Sequence, residues 1–298
     1  MESKRGEEMT KTPVPHFSGI LGSAAYPIEA GRYRLIWSEI CPWSQRIAIL
    51  RRLLGLEDII SEGKVNPVIT EQGWQFSLDE GQRDPVLDID YLMAIYKQTD
   101  VNYLGRATIP VIVEVTTKKI VNNESQEIML QLETNFSDFV KSDAPDLYPK
   151  NLRADIDALN AILLEEINQG VYKMKNAKTQ VDYEKYFSIF FNRLDELDVR
   201  LADRRFLFGE QLTDSDIRLY VSLARLDVAY YSTFRANRNR LTDFPNLWRY
   251  AKELYQIPAF RETTNFDAIK KGFALNNLEG NPNHIIPLGP IQVFGTNN

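Results

Sequence analysis

Cysteine is almost absent: Cys41 is the only one in 298 residues. No internal disulfide can form, nothing argues for export, and a reduced thiol is most at home in the cytoplasm. Histidine is nearly as scarce. His16 and His284 stand far apart, no metal-ligand spacing occurs, and no metal is expected. No apolar run reaches the length that crosses a bilayer, so no membrane partner is expected. The opening residues Met1-Glu2-Ser3-Lys4-Arg5-Gly6-Glu7-Glu8 lack the apolar core of a secretion signal. A net charge of −6 argues against broad attraction to nucleic acid. There is no internal repeat and no low-complexity tract. What is present, 44% hydrophobic and 26% charged residues, is the composition of a globular protein with a substantial core, in one large domain or two ordinary ones.

The lone cysteine sits in an informative place. The apolar run Tyr33–Ser38 reads as a strand, Cys41-Pro42 follows, and Trp43–Leu54 has Ile47, Leu50 and Leu54 on one helical face. Cys41 therefore falls at the first turn of a helix, with Pro42 where proline is favoured. Unpaired N–H groups at a helix start stabilise an anion, which favours the nucleophilic thiolate. A lone cysteine is otherwise a small buried apolar residue; the strand-to-helix junction is what points to chemistry.

Residues 1–31, rich in glycine, proline and charge, read as an irregular arm wrapping the body. Ile60–Val68 reads as a second strand, 69–84 as an inserted loop carrying Trp74 and Phe76, and Asp88–Gln98 as a helix. Thr108–Glu114, interrupted by Pro110, reads as a strand starting near that proline. Ile120–Asn122 can pair with it as a hairpin. Glu124 and Ser125 then open a helix with Ile128, Leu132 and Phe136 on its apolar face. A βαβ unit followed by ββα gives a mixed sheet flanked by helices. Beyond Pro149 the strand signal vanishes. Tyr183, Phe187, Phe190, Leu194, Leu197 and Leu201 recur at helical spacing as a buried stripe. Thr213 and Asp216 form a capping box, with Leu212 stapling onto Ile217. Pro245–Ile257 reads as a helix stopped by Pro258. The expected organisation is an arm (1–31), a mixed α/β domain (32–143) and an all-helical domain with a C-terminal extension (151–298).

A mixed sheet with Cys-Pro at its first helix and Ile-Pro before its third strand resembles the thioredoxin fold, and the helical second half makes it similar to a glutathione transferase. The resemblance narrows further. Cys41-Pro42-Trp43-Ser44-Gln45-Arg46 resembles the Cys-Pro-Trp-Ala-His-Arg segment of glutathionyl-hydroquinone reductases, the Xi class. Gly73–Phe76, Gly105–Val111, Ile120–Ser125, Asn168–Lys173, Gln211–Leu219 and Asn265–Asp267 agree in the same order. The resemblance spans about Arg32 to Pro290.

That resemblance implies cleavage of the thioether of glutathionyl-hydroquinones, with glutathione as co-substrate. Cys41 would attack the glutathionyl sulfur, and a second glutathione would clear the mixed disulfide. With no second cysteine, turnover must use an external thiol. Glu124 suits the ammonium of the γ-glutamyl end, and Ser125 with the helix N–H groups suits its carboxylate; an ordinary N-cap with an acidic first turn fits equally. Ile109-Pro110 resembles the superfamily's cis-proline, which turns residue 109 toward the cysteinyl amide of glutathione, although a proline at a strand start needs no such role. Trp74 and Arg106 match glutathione-binding residues; a loop anchor and a solvated charge are the plainer readings. Tyr172 matches a tyrosine near the acceptor ring, and Tyr230 another lining that pocket; both also fit as packing tyrosines. A homodimer is implied by resemblance alone.

Two departures stand out. Gln45 and Ser44 replace the family's histidine and alanine, and glutamine cannot carry a positive charge; Arg46 and the helix start remain to support the thiolate. Phe273 in the acceptor pocket replaces a tyrosine that binds the hydroquinone hydroxyl, removing a hydrogen-bond donor. Omega-like thioltransferase or dehydroascorbate reductase work, and a non-enzymatic binding module on the same fold, are the alternatives.

Overall fold

A computed structural model of the chain describes residues 16–291 and Phe294; the first part of the expected arm, residues 1–15, lies outside the described residues. The chain divides into two compact units, with the break between Ser142 and Asp143.

The first unit is built on Tyr33–Trp37 (β1), which is buried at every position. Both its faces are covered, which is why its sequence does not alternate. Ile60–Lys64 (β2) pairs with it in parallel, through the crossover helix Pro42–Leu53 (α1). Met93–Thr99 (α2) then leads to Val111–Glu114 (β3), Lys119–Asn122 (β4) and Ser125–Asn135 (α3). The sheet order is β2-β1-β3-β4, with β3 antiparallel to both its neighbours. This is the mixed sheet flanked by helices expected from the sequence. Helix α1 closes at Gly55, whose left-handed φ of 70° lets its N–H reach Arg52 O at 3.2 Å and that of Leu56 reach Arg51 O at 2.9 Å.

Strand β3 starts at Val111, directly after Pro110, as expected for a residue with no donor for the ladder. Two boundaries differ from expectation. Strand β2 stops at Lys64 rather than Val68, because the Asn66 N–H turns away to Gln75 O at 2.8 Å. The helix expected over 88–98 shortens to Met93–Thr99. Asp84 Oδ1 accepts from the N–H groups of Val86 (3.0 Å) and Leu87 (2.7 Å), and Asp88 is left-handed at φ 54°. The other oxygen of Asp84 accepts from Arg34 Nε (2.9 Å) and Nη2 (2.7 Å), with both residues buried. That pair pins the loop to β1, and removing one partner costs about 3–5 kcal/mol.

The described part of the arm runs along β4 and α3. Ser18 bridges Asn122, the Gly19 N–H donates to Val121 O (2.8 Å), and Leu21 is held by Gln131 Oε1 (2.9 Å) and Asn135 Nδ2 (2.7 Å). An edge strand covered in this way is closed to further pairing.

Among the described residues the second unit is helical apart from two isolated bridges: Arg153–Ile162 (α4), Gly170–Lys175 (α5), Gln180–Arg200 (α6), Asp214–Arg225 (α7), Tyr231–Thr233 (α8), Pro245–Gln256 (α9), Pro258–Arg261 (α10) and Phe266–Leu275 (α11). The α6 stripe is only partly as expected. Phe190, Leu194, Leu197 and Leu201 are buried, whereas Tyr183 and Phe187 are half-buried, and the Tyr183 hydroxyl donates to Arg235 O at 2.8 Å. Pro258 ends α9 but also opens α10. The capping box is present: Asp216 Oδ2 accepts from the Thr213 N–H at 2.8 Å. Among the described residues no helix is long and apolar enough to cross a membrane.

Candidate functional site

Cys41 is the N-cap of α1, in extended conformation at φ −84° and ψ 114°, with Pro42 next. Its thiol is half-buried, and Sγ lies 3.7 Å from the carbonyl oxygen of Ile109. The turn before it is tied down by Ser44, whose Oγ accepts from the Ser38 N–H (3.3 Å) and lies in donating range of Ser38 O (3.1 Å) and Cys41 O (3.2 Å). An alanine there could make none of these bonds. Gln45 is wholly buried, and its N–H donates to Cys41 O at 2.9 Å.

Ile109 is held in place from behind. The Tyr96 hydroxyl donates to Thr108 O (2.8 Å) and that of Tyr103 to Arg106 O (2.7 Å). Their rings pack 4.9 Å apart, and Phe17 of the arm packs on both. Burial pushes the Tyr103 phenol up to about 12, so it remains a donor at neutral pH. Neither tyrosine was singled out from the sequence. Their signal is weak, since tyrosines on an apolar face read as core. Cys41 and Trp74 both lie against the hydrophobic cluster that contains Tyr96, Tyr103 and Ile109. The Trp74 carbonyl also accepts from the Leu92 N–H at 3.0 Å. Arg106 is exposed, and among the described residues its guanidinium makes no hydrogen bond or ion pair.

Glu124 caps α3, accepting from the Gln126 N–H at 3.1 Å, while its own N–H donates to Asn122 Oδ1 at 2.7 Å. Ser125, the first residue of α3, is buried and accepts from Arg46 Nη2. The Arg46 side chain is itself buried and packs over the Trp43 ring, 5.1 Å from its centroid. The structure joins Arg46, on the helix that Cys41 caps, to Ser125. In the first unit, then, a helix-start thiol, the carbonyl of Ile109 and the start of α3 with a guanidinium behind it are brought together on one scaffold.

In the second unit Tyr172, Tyr230 and Phe273 come together around a ring the sequence reading missed, Phe234. Tyr172 meets Phe234 edge-on at 5.1 Å, Tyr230 stacks on it at 5.0 Å, and Phe273 meets it edge-on at 5.4 Å. Tyr230 also meets Tyr172 at 6.2 Å and Phe273 at 5.6 Å. Tyr172 is half-buried, whereas Tyr230 and Phe273 are buried. The i,i+4 spacing of Tyr230 and Phe234 was the available signal. Two π-helical segments lead into the cluster, Leu163–Asn168 before Tyr172 and Leu226–Tyr230 before Phe234. The first is anchored by Asn168 Nδ2, which donates to Arg218 O (2.9 Å) and Ser222 Oγ (2.8 Å). Such segments are common at functional sites. Among the described residues no group of three or more His, Cys, Asp or Glu is placed to hold a metal ion.

The chain is similar to known proteins over most of its length. The family description "Glutathione S-transferase, N-terminal domain" matches residues 40–135, and "Glutathione S-transferase, C-terminal domain" matches residues 180–253. The glutathionyl-hydroquinone reductase PcpF of Sphingobium chlorophenolicum is 39% identical over 270 residues, 90% of this chain and 86% of its own length. The glutathionyl-hydroquinone reductase YqjG of Escherichia coli K12 is 37% identical over 276 residues, 92% of this chain and 84% of its own. A glutathione-bound structure of YqjG superposes with a TM-score of 0.87 at 34% identity, covering 95% of this chain and 94% of that one. The Xi glutathione S-transferase of Phanerochaete chrysosporium superposes with a TM-score of 0.89 at 37% identity, covering 94% and 97%.

Proposed function

We propose, from the premise that this chain belongs to the glutathione transferases and within them to the Xi class of glutathionyl-hydroquinone reductases, that it is a glutathione-dependent reductase cleaving the thioether of S-glutathionyl-hydroquinones. The thioredoxin-like unit binds glutathione and carries the thiol. The helical unit takes the acceptor ring.

The observation that carries this reading is the setting of Cys41, a helix N-cap thiol with Sγ 3.7 Å from the Ile109 carbonyl, on the strand register that begins after Pro110. The thiolate attacks the glutathionyl sulfur and forms an S–S bond. The carbon–sulfur bond breaks, its electron pair stays on the ring carbon, and that carbon takes up a proton as hydroquinone departs. A second glutathione thiolate then attacks the glutathione sulfur of the mixed disulfide, releasing glutathione disulfide and restoring Cys41. One cysteine in the chain leaves no internal thiol to do this second step.

Binding follows from the same scaffold. Glu124 faces the γ-glutamyl ammonium, and Ser125 with the α3 N–H groups receives its carboxylate. Because Ser125 Oγ accepts from Arg46, its own proton is left to donate outward, and the guanidinium adds positive charge behind it. Ile109 presents its backbone to the cysteinyl amide, with Trp74 and Arg106 completing the site. Tyr172 and Tyr230 offer hydroxyls to the hydroquinone oxygens, and Phe273 packs its ring. The active form is a homodimer in a reducing compartment.

Intact-protein mass spectrometry after mixing with glutathionyl-menadiol, with menadiol release read in parallel, tests the reading. A glutathione adduct on Cys41 that added glutathione clears establishes both steps. An unmodified Cys41 that iodoacetamide still labels would favour Omega-like deglutathionylation of other adducts, a reading consistent with the missing hydroxyl at Phe273. A Cys41 that neither reagent modifies would favour a binding module.

A further inference from the structure

The aromatic cluster of the second unit has a cation beside it that no expected role accounts for. Lys175 is the last residue of α5, three positions after Tyr172 and on the same helical face. Its Nζ lies 5.0 Å from the centroid of the Phe234 ring, and Phe234 is the ring that Tyr172, Tyr230 and Phe273 share. An ammonium at a helix C-terminus is ordinary when it extends into water. This one is drawn over an aromatic face and partly desolvated. Burial lowers its pKa from the usual lysine value, opposed by the charge of Glu279.

Its neighbours sharpen the contrast. Lys173, two residues earlier, is ion-paired with Glu165. Among the described residues no carboxylate forms an ion pair with Lys175. A second cation adds to the field: exposed Arg235 follows Phe234 directly, is left-handed at φ 60°, and donates from Nη2 to the Lys175 carbonyl at 3.4 Å. The Arg235 guanidinium itself lies over the Tyr183 ring, 5.5 Å from its centroid, so Lys175 is the cation seated on Phe234. Holding a partly desolvated, unpaired ammonium beside an apolar surface costs stability. A ligand anion would remove that cost, because an aromatic seated on the Tyr172 and Phe234 rings places its substituents within reach of the flexible lysine stem.

We propose that Lys175 is a specificity-determining residue that selects acceptor rings bearing a carboxylate. This rests on the hydroquinone-reductase reading above and names its substrate class: glutathionyl adducts of carboxylated hydroquinones, ahead of unsubstituted ones.

The experiment compares kcat/KM on the glutathionyl adducts of 2,5-dihydroxybenzoate and of hydroquinone, for the wild type, Lys175→Met and Lys175→Arg. Methionine keeps the apolar stem and loses the charge. The wild type should prefer the carboxylated adduct, and Lys175→Met should lower that rate constant about fivefold, as for one partly exposed ion pair in a favourable setting. The unsubstituted adduct should change little, and Lys175→Arg should keep the preference. Equal losses on both adducts, or no loss on either, would overturn the assignment. Calorimetric binding of free 2,5-dihydroxybenzoate and free hydroquinone separates this idea from the one it rests on. If neither adduct is turned over, yet the wild type binds the carboxylated ring more tightly and Lys175→Met does not, the reductase reading falls and the Lys175 assignment stands. If both rings bind both proteins equally, the Lys175 assignment falls whatever the turnover.

Discussion

Arg46, on the first helix of the first unit, donates through Nη2 to the hydroxyl of Ser125, the residue that opens α3. Both side chains are buried, so the guanidinium is held rather than sampled, and the start of α3 gains positive charge beyond its own N–H groups. Ser125→Ala removes the acceptor for Arg46 and the donor proposed for the glutamyl carboxylate. Glutathione affinity should fall about tenfold, the size of one charge-assisted hydrogen bond. Titration calorimetry with glutathione reads it directly, and an unchanged Kd would place the glutamyl carboxylate elsewhere.

Cys41→Ala should abolish turnover of glutathionyl-hydroquinones, and Cys41→Ser should leave at most a trace. A hydroxyl cannot form the disulfide through which glutathione leaves. Glutathione binding should survive, since Ser125, Glu124 and the Ile109 backbone are unchanged. Loss of both activity and binding would show that the substitution disturbs the α1 start instead of removing a nucleophile.

How far local pattern reaches is visible in particular elements. The Cys-Pro junction, the strand and helix order, and the Thr213 to Asp216 box depend on residues close in sequence, and the structure has them where local rules place them. The loop over 84–91 depends on Asp84 pairing with Arg34, fifty positions away, and no local pattern announces that. The link from Arg46 to Ser125 spans 79 positions. Phe234 becomes a hub only when α5, α8 and α11 converge on it, and the π-helical turn before Tyr172 depends on Asn168 finding Arg218 O and Ser222. Periodicity finds helices; it does not find the extra residue that a tertiary anchor inserts into one.

Asp216 should make stability depend on pH in a direction unusual for a carboxylate. Burial pushes it up to about 6, against four hydrogen bonds from the Leu207 and Thr213 N–H groups and the Tyr250 and Thr213 hydroxyls. The folded state therefore binds the proton more tightly than the unfolded chain. Its contribution is fully present below about pH 4, falls as the pH rises through about 6, and is constant above that, a change on the order of 3 kcal/mol. Asp216→Ala loses the hydrogen bonds at every pH and should be destabilised throughout. The gap between wild type and variant, read from urea unfolding midpoints, should be wider at pH 4.5 than at pH 7.5. A gap that widens toward pH 7.5 would mean the carboxyl is ionised in the folded state well below 6.

Phe273 is buried edge-on against Tyr230 and Phe234, so a phenylalanine where the resemblance implies a tyrosine would alter the chemistry of the cluster without opening its packing. Phe273→Tyr restores a donor for the hydroquinone hydroxyl and should raise kcat/KM on glutathionyl-hydroquinones by up to about tenfold, the range of one hydrogen bond. The same oxygen has a cost when no substrate is present. It enters an aromatic surround and should lower thermal stability by about 1 kcal/mol, an amount that a bound hydroquinone should return. The two measurements constrain each other. Faster turnover with a melting temperature that recovers on adding hydroquinone means the hydroxyl meets the ligand. A lower melting temperature with no gain in rate means this chain accommodates a different ring, and the phenylalanine is part of how it does so.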